Sequence, residues 1–258
     1  MDTVLTRSYR RPRAFVRVAG ADAADYLERM LSNEIATLAS GESREALLLT
    51  PKARVIAPLV VLRRGEDDFL LLTEPELGEV VRAQLVRGRF AAKCEIQAEE
   101  HTSTVVLGEG DGIPTADYGV PAHEVLDVDA DGEAAELERL RIEAGTPRFG
   151  AEIDDRVLPA EAGLVERAVS FTKGCYPGQE PIARLHYRGR ANRRLAILEF
   201  RDDHEPAAEA EVRLGEKVVG RITSSVPGLA LAYVRNEVED GVELGVDGRP
   251  GKVRSAAG

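Results

Sequence analysis

The sequence predicts an α+β fold with a separate, strand-rich C-terminal unit. Strand and helix signals alternate through the first two-thirds of the chain without a regular βαβ pattern. From Arg194 onward the texture changes to short strand patterns with frequent turns and little helical period, as in a small barrel or sandwich. At 258 residues the chain is also too long for one small core. Domains of ~100–200 residues predict two, or three if one is small.

Each element follows from local pattern. Residues 13–18 read as a first strand, ending at Gly20. Asp22 is placed to cap a helix carrying Leu27, Met30, Leu31, Ile35 and Leu38 on one face and stopping near Gly41. Residues 46–49, 55–63 and 69–73 read as strands, with Asp67 and Asp68 marking the turn between the last two. Thr73 and Glu76 match a capping box, with Pro75 in the first turn and Leu77, Val80, Val81 and Leu85 on the buried face. Strands at 94–97 and 104–107 follow, then a loop over 108–119. Leu137, Leu140 and Ala144 mark a helix that Gly145 and Pro147 terminate. Beyond it lie strands at 195–200, 212–214, 218–223 and 229–234, with an acidic, alanine-rich loop over 202–211.

Composition narrows the function. A hydrophobic fraction of 43% excludes a mainly disordered chain. No apolar run approaches the ~18 residues of a membrane span. Arg7, Arg10, Arg11 and Arg13 are not followed by the apolar region and cleavage site of a secretory signal. Cys94 and Cys175 are the only cysteines and lie far apart in sequence, so a reduced, cytoplasmic protein is expected. The net charge of −11 argues against coating nucleic acid with the whole surface.

Most familiar motifs fail. Gly108-x-Gly110 continues to Ile113 and Pro114, not to a third glycine, and no Walker A sequence exists. The cysteines lack the spacing of a zinc or thioredoxin-like site, and two thiols are too few for an iron–sulfur cluster held by this chain alone. Asp127-x-Asp129-x-Asp131-Gly132, with Glu138 at the twelfth position, fits the EF-hand loop pattern. The segment before it looks extended, so the favoured reading is a turn whose Asp131 caps the following helix. No metal site is expected.

The most informative stretch is Lys173-Gly-Cys-Tyr-Pro-Gly-Gln-Glu180. A thiol lies two residues from a lysine, glycines flank the turn, and an amide and a carboxylate follow. Six Lys/Arg side chains between Lys173 and Arg194 stand against one carboxylate, Glu180. Such an island on an acidic protein focuses an anionic ligand, unless it is a solvated edge strand with its arginines outward. Cys175 is a nucleophile candidate, with His186 as a possible base and Lys173 as a cation that lowers its pKa. Cys94, in a strand pattern, reads as core.

This octet resembles the K-G-C-[FY]-x-G-Q-E signature of the YgfZ branch of the glycine-cleavage T-protein superfamily. Arg141-Ile-Glu-Ala-Gly-Thr-Pro-Arg-Phe-Gly150, Leu158-Pro-Ala-Glu-Ala-Gly163, Gly220-Arg-Ile-Thr-Ser-Ser225 and Ala232-Tyr-Val234 resemble further segments of that family. The likeness spans nearly the whole chain. It implies a three-domain ring binding tetrahydrofolate, or a one-carbon derivative, in a central hole. The expected parts are a discontinuous first domain over 1–45 plus 135–190, an inserted α+β domain over 46–134, and a C-terminal β-barrel over 191–258. It further implies an accessory role in assembly or repair of iron–sulfur enzymes, with an indirect effect on tRNA modification. Folate and iron–sulfur enzymes or their assembly machinery are then the expected partners, with neither direct nucleic-acid nor membrane binding.

One departure bears on mechanism. Residues 49–59 align so that Ala57 and Pro58 occupy the positions of the T-protein's paired aspartates. Neither accepts a proton, which speaks against the alternative of a folate-dependent aminomethyltransferase or related one-carbon transferase. A non-catalytic RNA- or protein-binding module using the basic run is a third reading. For folate, Gln179 and Glu180 are expected to pair with the pterin edge, Arg184, Arg188 or Arg190 to neutralise the glutamate tail, and Tyr176 to line the ring. Alternatively, Glu180 pairs with a neighbouring arginine and braces the turn. Glu124 or His123 is a weaker candidate to approach the pterin. Lys173 and Cys175 are expected to form the reactive pair.

Overall fold

A computed structural model describes residues 7–256. Its strands form three groups, and every pairing between strands is antiparallel. A four-stranded sheet joins β1 (Ser8–Arg10) to β7 (Ser103–Leu107), β9 (Ala122–Leu126) and β8 (Ile113–Thr115), in that order. A five-stranded sheet runs β3 (Ser43–Leu49), β4 (Val55–Gly65), β5 (Asp68–Thr73), β2 (Ala14–Ala19) and β6 (Glu95–Glu99). Helices α1 (Ala23–Met30) and α2 (Gly78–Gly88) cover one face of this sheet, burying Leu27, Val81 and Leu85 with Val18, Leu48 and Leu71.

The strand period of two decides what the other face does. Ala46 and Leu48 of β3 join the core under the helices, while Leu47 and Leu49 enter a second core. That second core is completed by the segment from Ile142 to Ile182, which includes the short helix α4 (Val165–Ala168), and by one face of the C-terminal barrel. The barrel closes in the order β10 (Arg193–Phe200), β13 (Leu229–Arg235), β12 (Lys217–Val226), β11 (Glu211–Leu214), β14 (Glu243–Val246) and β15 (Arg249–Ser255). Ala196 and Leu198 point into it, whereas Leu195 and Ile197 point out, into the second core with Leu231 and Tyr233. Strands β14 and β15 escape sequence reading because Leu244, Val246 and Val253 are their few buried apolar side chains, amid Gly, Pro and charge.

Several expectations are corrected. The first helix ends at Met30; Leu31 is extended and bridges to Leu48, so Ile35 and Leu38 are buried from a loop. Asp22 stands at the N-cap as expected, but its side chain makes no capping bond and instead accepts a hydrogen bond from the Lys93 amide at 2.7 Å. Thr73 ends β5, donating to the Pro58 carbonyl at 2.9 Å, and α2 follows a single 3-10 turn over Pro75–Leu77. Val80 faces solvent. Helix α3 (Ala134–Ala144) ends as expected at Gly145, whose φ of 77° permits a left-handed stop.

The acidic turn before α3 is built for other contacts. Asp127 accepts from the Thr102 amide and contacts His101, Asp131 accepts from Ser8, and Glu138 pairs with Arg141. Asp131 does not cap α3, whose N-cap is Glu133. Among the described residues no three His, Cys, Asp or Glu side chains gather as metal ligands. The domain boundary expected between 45 and 46 falls inside β3, whose sheet continues on both sides. The basic run is not an edge strand: it forms α5 (Gln179–Arg188) and the loop after it, and only Arg193 and Arg194 enter a strand, β10 of the closed barrel. No helix among the described residues is long and apolar enough to cross a membrane.

Candidate functional site

The octet lies against the end of α1. Lys173 turns its ammonium inward, with its side chain 1% exposed. It donates to the carbonyls of Glu28 at 2.6 Å, Leu31 at 2.8 Å and Asn33 at 2.6 Å, with Glu28 Oε1 3.3 Å away. Those partners engage all three donors of an ammonium. Burial lowers the Lys173 pKa, and the Glu28 carboxylate opposes that shift. The cage satisfies carbonyls at a helix end that otherwise lack partners.

Gly178 starts α5 with φ of 86°, and a Cβ there would meet the Thr50 carbonyl oxygen at 2.7 Å. Only glycine fits both demands. The turn therefore packs directly on the β3–β4 connection. Cys175 is exposed. His186 stacks on Phe171 at 4.2 Å, and among the described residues no hydrogen bond joins it to Cys175.

The structure divides the six residues expected to hold folate. Tyr176, Gln179, Glu180 and Arg184 line one cavity of about 350 Å³. Arg190 lines another, of about 620 Å³, and Arg188 lines neither. Glu180 forms no ion pair among the described residues, so it does not brace the turn through an arginine. Tyr176 is 7% exposed and belongs to the second core. Burial pushes its phenol up to about 12.

Glu124 is committed elsewhere. It accepts from Arg11 at 3.0 Å, from Arg13 at 2.6 and 3.1 Å, and from the Ser103 hydroxyl at 2.7 Å. Burial would raise its carboxyl, but Arg13 and Arg11 outweigh that and hold it down at about 2. Asp117 joins the same cluster through Arg11 at 2.8 Å and Arg167 at 2.5 Å, and Arg167 continues to Glu45 on β3. This ion cluster ties the two sheets together. His123 lies beside it, with Nδ1 3.2 Å from the Gly108 carbonyl oxygen.

A cavity of about 730 Å³ opens on the other side of the cluster. Its lining draws on the end of β1 (Arg10), the connection after β5 (Glu74, Glu76), the β8–β9 loop (Tyr118) and the segment around α3 (Glu138, Arg148). Glu138 and Arg148 pair at 3.2 Å, and Arg141 pins Glu138 at 2.7 Å. Glu74, Glu76 and Arg10 have no ion pair among the described residues. Phe149 adds an aromatic surface. Sequence reading missed this site because Glu76 resembles a cap and the lining residues are far apart along the chain. The signal available was two acids around Pro75 just after a strand. Ala57 is fully buried, and Pro58 sits opposite Leu47, on the sheet face away from the helices.

Residues 192–257 match the family model described as CAF17, C-terminal beta-barrel domain. The chain is 26% identical to the tRNA-modifying protein YgfZ of Edwardsiella ictaluri, over 78% of this chain and 73% of that protein. It is 28% identical to the aminomethyltransferase of Cutibacterium acnes, over 91% and 80%. In fold it is similar to the glycine cleavage system aminomethyltransferase T of Bartonella henselae, with a TM-score of 0.83, 20% identity, and coverage of 98% of this chain and 85% of that one.

Proposed function

Given that the chain is a YgfZ-type member of the glycine-cleavage T-protein superfamily, we propose that it binds tetrahydrofolate or a one-carbon derivative in the 730 Å³ cavity. There it serves as a cytoplasmic accessory to assembly or repair of iron–sulfur enzymes, acting on tRNA modification indirectly. The observation that carries the folate assignment is the pairing of uncommitted acids, Glu74 and Glu76, with an uncommitted Arg10 around one cavity. A pterin presents a donor edge that a carboxylate accepts, and its glutamate tail needs a cation. Phe149 and Tyr118 supply flat apolar surface to the ring. Calorimetric titration with tetrahydrofolate, comparing wild type with Glu74→Gln and Arg10→Ala, tests this.

A second location has its own support. Tyr176, Gln179, Glu180 and Arg184 face one cavity, although it has about half the volume. Glu180→Gln with Arg184→Ala separates the two sites. In either case Cys175, exposed on the octet, is the residue proposed to meet the iron–sulfur partner. Lys173 acts by holding the octet in place, since its donors are already engaged. Loss of iron–sulfur enzyme activity in cells carrying Cys175→Ser is the expected outcome; full activity would overturn that role. The aminomethyltransferase alternative draws on the shared fold and on the 28% identity to the Cutibacterium acnes enzyme, but Ala57 and Pro58 offer it no acid.

A further inference from the structure

We propose that the 620 Å³ cavity between α5 and the barrel is a second ligand site, for an amphipathic anion with an aliphatic chain, the class of medium-chain carboxylates. It shares no lining residue with the cavity assigned to folate. Leu158, Pro159, Val165, Ile182 and Leu185 give it an aliphatic floor, and the one aromatic ring in its lining, His186, is already stacked on Phe171 at 4.2 Å. Flat ring ligands are ordinarily met by aromatic side chains, whereas a flexible chain needs only apolar area.

Charge selects the head group. Arg190, Arg194 and the Asn236 amide line the cavity against a single acid, Glu166. Arg190 forms no ion pair among the described residues, while Arg194 is held by Asp240 at 2.6 Å. The backbone itself brings Arg190 to this position. A Cβ at Gly189 would meet Leu185 Cδ1 at 3.0 Å, so the chain leaves α5 tight against the apolar floor and delivers the next residue to its rim. A carboxylate at Arg190 with its chain over Leu185 and Leu158 satisfies both surfaces.

The test is calorimetric titration of the full chain with octanoate, decanoate, decanol and decylamine, each below its micellar concentration. Decanoate is expected to bind about fifteenfold more tightly than octanoate, since each buried methylene contributes ~0.8 kcal/mol. Decylamine is expected to bind at least tenfold more weakly than decanoate. Arg190→Gln should weaken decanoate at least fivefold and leave decanol unchanged. Ala160→Leu, which fills the cavity, should weaken both. Tetrahydrofolate titrations of these variants should match wild type, so failure here and failure of the folate assignment are distinguishable. Equal affinity for decylamine and decanoate, no dependence on chain length, or wild-type decanoate binding by Arg190→Gln would each overturn the proposal.

Discussion

The Lys173 ammonium donates to the Leu31 carbonyl at 2.8 Å across 142 positions of sequence. With Glu28 and Asn33 it closes a cage that fixes the end of α1, the following turn and the octet as one body. This makes the lysine of the most informative motif a structural cation.

Lys173→Met is therefore expected to destabilise the fold by about 3–5 kcal/mol, the range for removing one partner from a buried charge arrangement. Lys173→Arg should not rescue it, because a planar guanidinium cannot replace a compact ammonium among three carbonyls. Urea denaturation measures both. Wild-type stability in Lys173→Met would remove the cage from the account.

The two thiols should separate by reactivity. Cys175 is exposed, whereas Cys94 is buried and burial raises its pKa. Iodoacetamide is expected to modify Cys175 in the native protein and Cys94 only after denaturation. Peptide mapping reads the order, and early labelling of Cys94 would contradict the placement of β6 against α2.

Acid should loosen the contact between the two sheets. The folded Glu124 carboxyl sits at about 2, below its ordinary 4.5. Its contribution is thus fully present above pH 4.5 and is lost as pH falls toward 2. Glu124→Gln leaves Arg13 without a carboxylate and Arg11 with Asp117 alone, which should cost about 3–5 kcal/mol at pH 7 and flatten the acid limb. Urea midpoints across that range test it; an unchanged acid slope in the variant would assign the acid sensitivity elsewhere.

Two glycines of the octet should behave differently. Gly178→Ala places a methyl 2.7 Å from the Thr50 carbonyl oxygen at a φ of 86°, for an expected loss of about 1–3 kcal/mol. Gly174 has nothing within 4 Å of a built Cβ and no positive φ, so its alanine variant should stay within about 0.5 kcal/mol. Thermal denaturation of the pair checks this contrast.

Much of the fold was legible because its signals are local. The α+β class, the strands of the β4–β5 hairpin, the glycine stop of α3 and the change of texture before the barrel all follow from periodicity and turn chemistry. What local pattern could not resolve was which apolar residues reach the core by tertiary contact alone. Ile35 and Leu38 continue the α1 period, yet are buried from a loop because Leu31 pairs with Leu48. The site shows the same division. The octet was visible as a motif, but the inward turn of Lys173 depends on carbonyls far away in sequence. Arg10 and Glu74 meet around one cavity only after two sheets have packed.

The most direct test of the central claim is titration of the purified chain with tetrahydrofolate. One binding event is expected in wild type, weakened at least tenfold by Glu74→Gln or Arg10→Ala and unchanged by Glu180→Gln with Arg184→Ala. A flat wild-type titration would contradict folate binding. Wild-type affinity in the Glu74 and Arg10 variants, with loss in the Glu180 and Arg184 variant, would contradict its assignment to the larger cavity.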